Sequence, residues 1–168
     1  MDTQIVFVYC FCDDLLKALQ HWEDPQCRVS DAEILTVALV AALYFGGHFK
    51  RANEFLHEQG YLPRRLSASR FTRRVHRCAP LVLPLFHGLA GLGHQLNPES
   101  IYIIDSFPLA ACDNIRIPRC RRYRGEAWRG YQASKRRYFY GLKIHLLVTA
   151  QGQPVEFFLT PGADSDTK

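Results

Sequence analysis

The chain has a single methionine and only two tryptophans, and no cysteine pair with the two-residue spacing of a zinc or redox motif among its six cysteines. Of Cys10, Cys12, Cys27, Cys78, Cys112 and Cys120, the last two sit in a segment without a paired histidine spacing, which argues against zinc. The first fourteen residues lack a basic leader and a small-residue cleavage site, so a secreted disulfide scaffold is not expected. Reduced thiols in a cytosolic protein are the expectation. No apolar run approaches the ~20 residues that a membrane span needs; the longest, around Val37 to Phe45, reads as a buried helix. The seven histidines include six (His21, His48, His57, His76, His87 and His94) at no metal-ligand spacing.

Acidic residues are also scarce where basic ones gather. Lys and Arg outnumber Asp and Glu by 21 to 16, with a sequence pI near 9.0. From Arg116 to Lys143 the cations are Arg116, Arg119, Arg121, Arg122, Arg124, Arg129, Lys135, Arg136, Arg137 and Lys143, against Glu126 alone. The rest of the chain is net acidic. A charge stripe of this kind fits a polyanionic partner. Tyr123, Trp128, Tyr131 and Tyr138 are interleaved with it, a texture suited to gripping DNA phosphates while aromatic rings stack on distorted bases.

At 168 residues, 48% of them hydrophobic, the chain has room for a small helical domain and part of a second. Residues 1–96 read as helices. Ser30 and Glu33 have capping-box spacing, an apolar run follows from Ile34 to Phe45, and Gly46-Gly47 stops it. A second helix is expected over Phe49 to Gln59, with Gly60 as terminator. After a turn through Pro63, Ser67 or Ser69 is placed to cap a basic helix ending near Pro80, and a last helix is expected over Leu81 to Leu96. Arg70, Arg73, Arg74 and Arg77 follow one face of the basic helix. The pattern fits the DNA-reading helix of a helix-turn-helix and equally a solvated face of a bundle.

Beyond Asn97-Pro98 the texture becomes that of strands, so the expected fold class is α+β with a second region over 97–168. Ile101 to Phe107 is apolar on both faces, as expected of a central strand, and Tyr138 to Thr149 alternates with period two. The turn at Gln151 to Pro154 leads to a third strand over Val155 to Leu159, antiparallel to the second. Asp105 stands in the middle of the first strand. A carboxylate there must be solvated, paired, protonated or bound to a cation, so it is either a metal ligand or a strand-end aspartate at a loop mouth.

Five motifs in order carry a resemblance: Ile104-Asp105-Ser106-Phe107-Pro108-Leu109; Cys112-Asp113-Asn114-Ile115-Arg116; Arg129-Gly130-Tyr131 with Ala133-Ser134-Lys135; Tyr140-Gly141-Leu142-Lys143-Ile144-His145; and Pro154-Val155-Glu156-Phe157 with Thr160-Pro161-Gly162. From about Asn97 onward the chain resembles bacterial DDE transposases of the insertion sequence 982 group. The resemblance implies a ribonuclease-H-like core whose first three strands are antiparallel, with Asp105 as the first catalytic Asp and metal ligand. It implies Mg²⁺ or Mn²⁺ in the complete enzyme, and as partners the DNA of transposon ends together with further copies of the chain or a full-length transposase. The group's second Asp, on a fourth strand, and its Glu, on a later helix, do not appear before Lys168; Asp164 and Asp166 are the candidate substitutes, in a setting that reads as the entry to a helix, where Asp166 fits a structural cap or outer-shell group better than a metal ligand. The expectation is therefore a truncated transposase, inactive alone. Two alternatives are a non-catalytic DNA-binding protein acting on transposon ends and a metal-dependent nuclease using Asp105 with Asp164 or Asp166. Lys143 and His145, on one strand face, join the expected DNA contacts provided that face adjoins Asp105.

Overall fold

The structure, a computed structural model, describes residues 1–98, 100–113, 123, 125–132 and 135–164, with Asp113 described by its backbone alone. The described residues form two compact units, Met1–Gly88 and Leu89–Lys168.

Four helices are described: α1 (Asp2–Ala18), α2 (Asp31–Tyr44), α3 (Phe49–Glu58) and α4 (Ala68–Gln95). α2 forms the centre of the first unit, and its start is the capping box read from sequence. The Ser30 side chain accepts from Glu33 N at 3.1 Å, and Glu33 Oε2 accepts from Ser30 N at 2.6 Å. Its end is set by Gly46 and Gly47, both at positive φ. Ala32, Ile34, Leu35, Val37, Val40 and Ala41 are buried, whereas Leu39, Ala42, Leu43 and Tyr44 toward its end are exposed. Around it, α1 contributes Ile5, Cys12 and Leu16, and α3 contributes Ala52 and Leu56. Phe45 packs on Phe55 and Phe49 on Phe71, with ring centres 5.5 and 5.6 Å apart. These apolar contacts exclude water from one continuous core, the main favourable term in folding.

Two helices expected to meet at Pro80 are one helix of 28 residues, with Pro80 and Pro84 inside it. A proline removes a backbone donor and its ring crowds the preceding turn, which ordinarily ends a helix. Here Phe71, Cys78 and Leu85, seven residues apart and each at most 5% exposed, keep a single seam against the core. Tertiary burial outweighs the local cost. α4 starts with Ser67 in the capping position, its carbonyl accepting from Phe71 N at 2.9 Å. The last turns of α4, from Leu89, belong to the second unit, where the Cβ position of Gly93 lies 3.2 Å from Val155.

The second unit is an antiparallel sheet of β1 (Tyr102–Asp113), β2 (Arg129–Gln132), β3 (Arg137–Thr149) and β4 (Pro154–Pro161), with a 3₁₀ turn over Glu126–Trp128. β1 runs along one side of β3; β2 and β4 share the other side, at opposite ends. The sheet thus has a strand, β2, beyond the three expected from sequence. It is only four residues long, too short to show a period. β3, not β1, is the central strand. Among the described residues β1 pairs with β3 alone and is exposed, with Ile103 at 53% and Ile104 at 61%, so the segment 101–107, apolar on both faces like a central strand, lies at an edge of the sheet. Close packing beside β3 is set by glycine: a Cβ on Gly141 would stand 2.2 Å from Leu109 O. Ala111 is a bulge between the paired Ala110 and Cys112.

Candidate functional site

Asp105 lies in β1 opposite Leu146 of β3, and Oδ1 accepts from Ser106 N at 2.7 Å. Its side chain is exposed. Directly paired residues of an antiparallel ladder point to the same face, and neighbours along a strand alternate. Asp105 therefore shares its face with Ile103, Phe107, Leu142, Ile144 and Leu146, an apolar surface. Ser106 and Pro108 share the opposite face with His145 and Lys143. The condition on which Lys143 and His145 were to act beside Asp105 is not met: a single residue of register places the acid and the two bases on opposite sides of the sheet.

His145 is engaged elsewhere as well. It is 7% exposed, its Nε2 is 3.0 Å from Thr160 Oγ1, and its ring stacks on Phe158 at 4.4 Å and 4°. This is a packed, hydrogen-bonded histidine. Lys143 Nζ donates to Asp164 O at 2.5 Å and so ties the turn after β4 to β3. Asp164 follows that turn near Gly141, away from the Leu146 row that carries Asp105.

On α4, Arg70, Arg73 and Arg77 are exposed and, with Leu66 and Arg74, line a shallow depression of about 340 Å³. Arg74 differs from its neighbours. Its Nη2 donates to Asp31 Oδ1 at 2.6 Å, to Val29 O at 2.9 Å and to Glu23 Oε1 at 3.1 Å, and its side chain is only 16% exposed. Asp31 also receives His21 Nε2 at 3.0 Å and the Cys78 thiol at 3.2 Å. Burial disfavours the Asp31 charge, yet hydrogen bonds from His21, Arg74 and Cys78 prevail and hold its carboxyl below the usual range. Burial likewise works against the Arg74 charge, and Asp31 more than offsets it. Burial and then the adjacent carboxylate push the Cys78 thiol up to about 12, so it stays protonated. Arg74, expected among the DNA contacts, is thus an internal tie between α4 and the start of α2. Nothing in its helical spacing distinguishes it from Arg73; the distinction comes from Glu23 and Asp31, distant in sequence.

The basic hairpin of β2 and β3 carries Arg129, Lys135, Arg136 and Arg137 of the expected DNA contacts. Arg129 lies 4.6 Å over the Tyr138 ring and 3.5 Å from Glu126. Lys135 and Arg136 are exposed at the hairpin turn, where Arg136 has a φ of +46°. Arg137 is exposed and its Nε donates to Gln132 Oε1 at 3.4 Å. Arg116, Arg119, Arg121, Arg122, Arg124 and Asp166 lie outside the described residues.

Together these features define an α+β chain with a helical unit and an antiparallel sheet that bears an exposed carboxylate, Asp105, on the apolar face of its first strand, and a basic hairpin. Residues 95–168, a little under half of the chain, match the family model of the transposase DDE domain. The match supports a DDE transposase and a transposase-like function acting on DNA. No curated protein and no solved structure matches. DDE transposase domains generally use divalent metal ions. Among the described residues, however, no group of three or more His, Cys, Asp or Glu is placed to hold one. Asp105 is a chemically suitable oxygen ligand, but alone on an apolar face it does not make a two-metal site. Among the described residues, no single helix is long and apolar enough to cross a membrane.

Proposed function

We propose that the chain is part of an insertion sequence 982-type transposase whose complete enzyme cuts and joins DNA by metal-dependent phosphoryl transfer, and that this polypeptide alone binds DNA without cutting it. One observation carries the reading: the family match over 95–168 falls on an antiparallel sheet whose first strand holds Asp105. Asp105 is the first carboxylate of the metal-binding set. The other ligands come from outside the described residues, Asp166 among the candidates. The phosphate contacts in this reading are Arg70, Arg73 and Arg77 in the helical unit, and Arg129, Lys135, Arg136 and Arg137 on the hairpin. Arg116, Arg119, Arg121, Arg122 and Arg124 extend the second group along the sequence.

A second reading, a non-catalytic protein that binds transposon ends and modulates a full-length enzyme, is favoured by the lone carboxylate. Both readings require DNA binding driven by phosphate contacts, with log affinity falling linearly as log salt rises by ~0.9 per neutralised phosphate. The test is anisotropy titration of a labelled duplex between 50 and 300 mM KCl, followed by incubation with Mg²⁺ or Mn²⁺. Salt-dependent binding with intact DNA is expected. Absence of binding at 50 mM salt would refute the DNA-acting role. Mg²⁺-dependent cleavage lost in Asp105→Asn would overturn the proposed inactivity. Inhibition of a full-length transposase by the added chain favours the second reading.

A further inference from the structure

The β2–β3 hairpin displays two tyrosines where a sheet of this size has apolar positions to fill. Tyr131 and Tyr138 face each other across the ladder, 52% and 45% exposed, with ring centres 4.9 Å apart. Arg129 lies on the same face, its guanidinium 4.6 Å above Tyr138. Lys135 and Arg136 extend from the turn that closes the hairpin. From Tyr123 to Lys143 the sequence has one acid, Glu126. A cross-strand aromatic pair also steadies a hairpin, and that alone would account for the two rings. It would not account for a guanidinium laid over a half-exposed ring at the base of a cationic turn.

We propose that Tyr131, Tyr138 and Arg129 form a stacking platform for unpaired bases of a DNA strand, with Lys135 and Arg136 holding the adjoining phosphates. The proposal rests on the DNA-acting role above and adds a preference for single-stranded or distorted segments. Within a duplex each base is covered above and below by its neighbours, so a protein ring stacks only on a base that has left the helix. Every base has such a face, so the platform reads strandedness and not sequence. Its position supports this. Tyr138 and Leu146 lie on the same side of β3, eight residues apart, which places the platform about 26 Å along the strand from the row holding Asp105 at ~3.3 Å per residue. The carboxylate and the rings thus face the same side of the sheet.

The test uses the full chain with a labelled twelve-nucleotide oligothymidylate and, separately, a twelve-base-pair duplex. Tyr131→Ala and Tyr138→Ala are each expected to weaken single-strand binding about tenfold while changing duplex binding less than twofold. Tyr131→Phe and Tyr138→Phe keep the ring and should bind as the parent does. Arg129→Gln should cost about threefold on the single strand. Circular dichroism melts identify any alanine variant that fails to fold, in which case the Arg129→Gln and phenylalanine variants decide. Equal losses on both DNAs, no loss on either, or failure of the parent to bind the oligothymidylate overturns the platform. Retained duplex binding in those cases leaves the broader DNA-acting role intact. Absent duplex binding with the expected single-strand pattern supports the platform and refutes the duplex phosphate contacts of the helical unit.

Discussion

Asp105 pairs with Leu146, whereas Ser106, the next residue, pairs with His145. That one step of register separates the exposed Asp105 carboxylate from the face that carries Lys143 and His145. The consequence is a sheet with two unlike sides, one carrying Asp105 and the tyrosine platform, the other a histidine locked between Thr160 and Phe158.

Asp105→Asn should leave the fold nearly untouched. The side chain is exposed, and an amide oxygen can still accept from Ser106 N. A change within about 0.5 kcal/mol is expected, measured by urea denaturation, with duplex affinity equal to or slightly above that of the parent. A loss several times larger would mean that the carboxylate supports the sheet and is not held in reserve for a cation.

Arg73→Ala and Arg74→Ala, one residue apart, should behave oppositely. Removing Arg74 leaves Asp31 buried without its main cation, which costs about 3 kcal/mol. Removing Arg73 should change stability by less than about 0.5 kcal/mol and reduce the salt slope of DNA binding by about one contact. Denaturation midpoints and salt titrations of the two variants check this together. Equal stability losses would contradict the internal role assigned to Arg74.

The same cluster sets an acid limb of stability. The folded-state pKa of Asp31 is lowered, so its contribution is complete above the unfolded value of ~3.9 and drains away as pH falls through the folded value below it. Glu23 acts in the opposite sense. Burial, then the Asp31 charge, raises its pKa, so its ionised form costs stability above that value and protonation relieves the cost. Urea midpoints from pH 5 to pH 2 should fall more steeply for the parent than for Asp31→Asn. Parallel curves would exclude Asp31 as the source.

Gly141→Ala and Gly91→Ala provide a matched pair. At Gly141 a methyl group would meet the backbone of both Leu109 and Ala111, at 2.2 and 2.9 Å, and force β1 off β3. A loss of about 2 kcal/mol or more is expected. At Gly91 no atom lies within 4 Å and the residue is inside α4, so alanine should stabilise by about 0.5–1 kcal/mol. Thermal melts of the two variants should move in opposite directions.

Features encoded by neighbouring residues were legible in the sequence. The capping box at Ser30 and Glu33, the Gly46-Gly47 stop, the alternation of β3 and the β3–β4 turn depend on contacts a few residues apart. Asp105 was likewise visible as an acid inside an apolar run. Less legible were β2, too short to carry a period, and the passage of α4 through Pro80 and Pro84, which depends on the seam of Phe71, Cys78 and Leu85.

The sequence by itself determined α2 with its cap and its stop, the order of the long strands, the basic stripe and the position of one unusual carboxylate, because chain connectivity enforces those relationships. Only the tertiary structure decided that Arg74 turns inward while Arg73 faces solvent, that Asp105 and His145 occupy opposite sides of the sheet, and that Tyr131 meets Tyr138 beneath Arg129. Each of these depends on which distant segment pairs or packs with which. A shift of one residue in register, or the burial of one carboxylate 43 positions away, reverses the outcome without altering any local pattern.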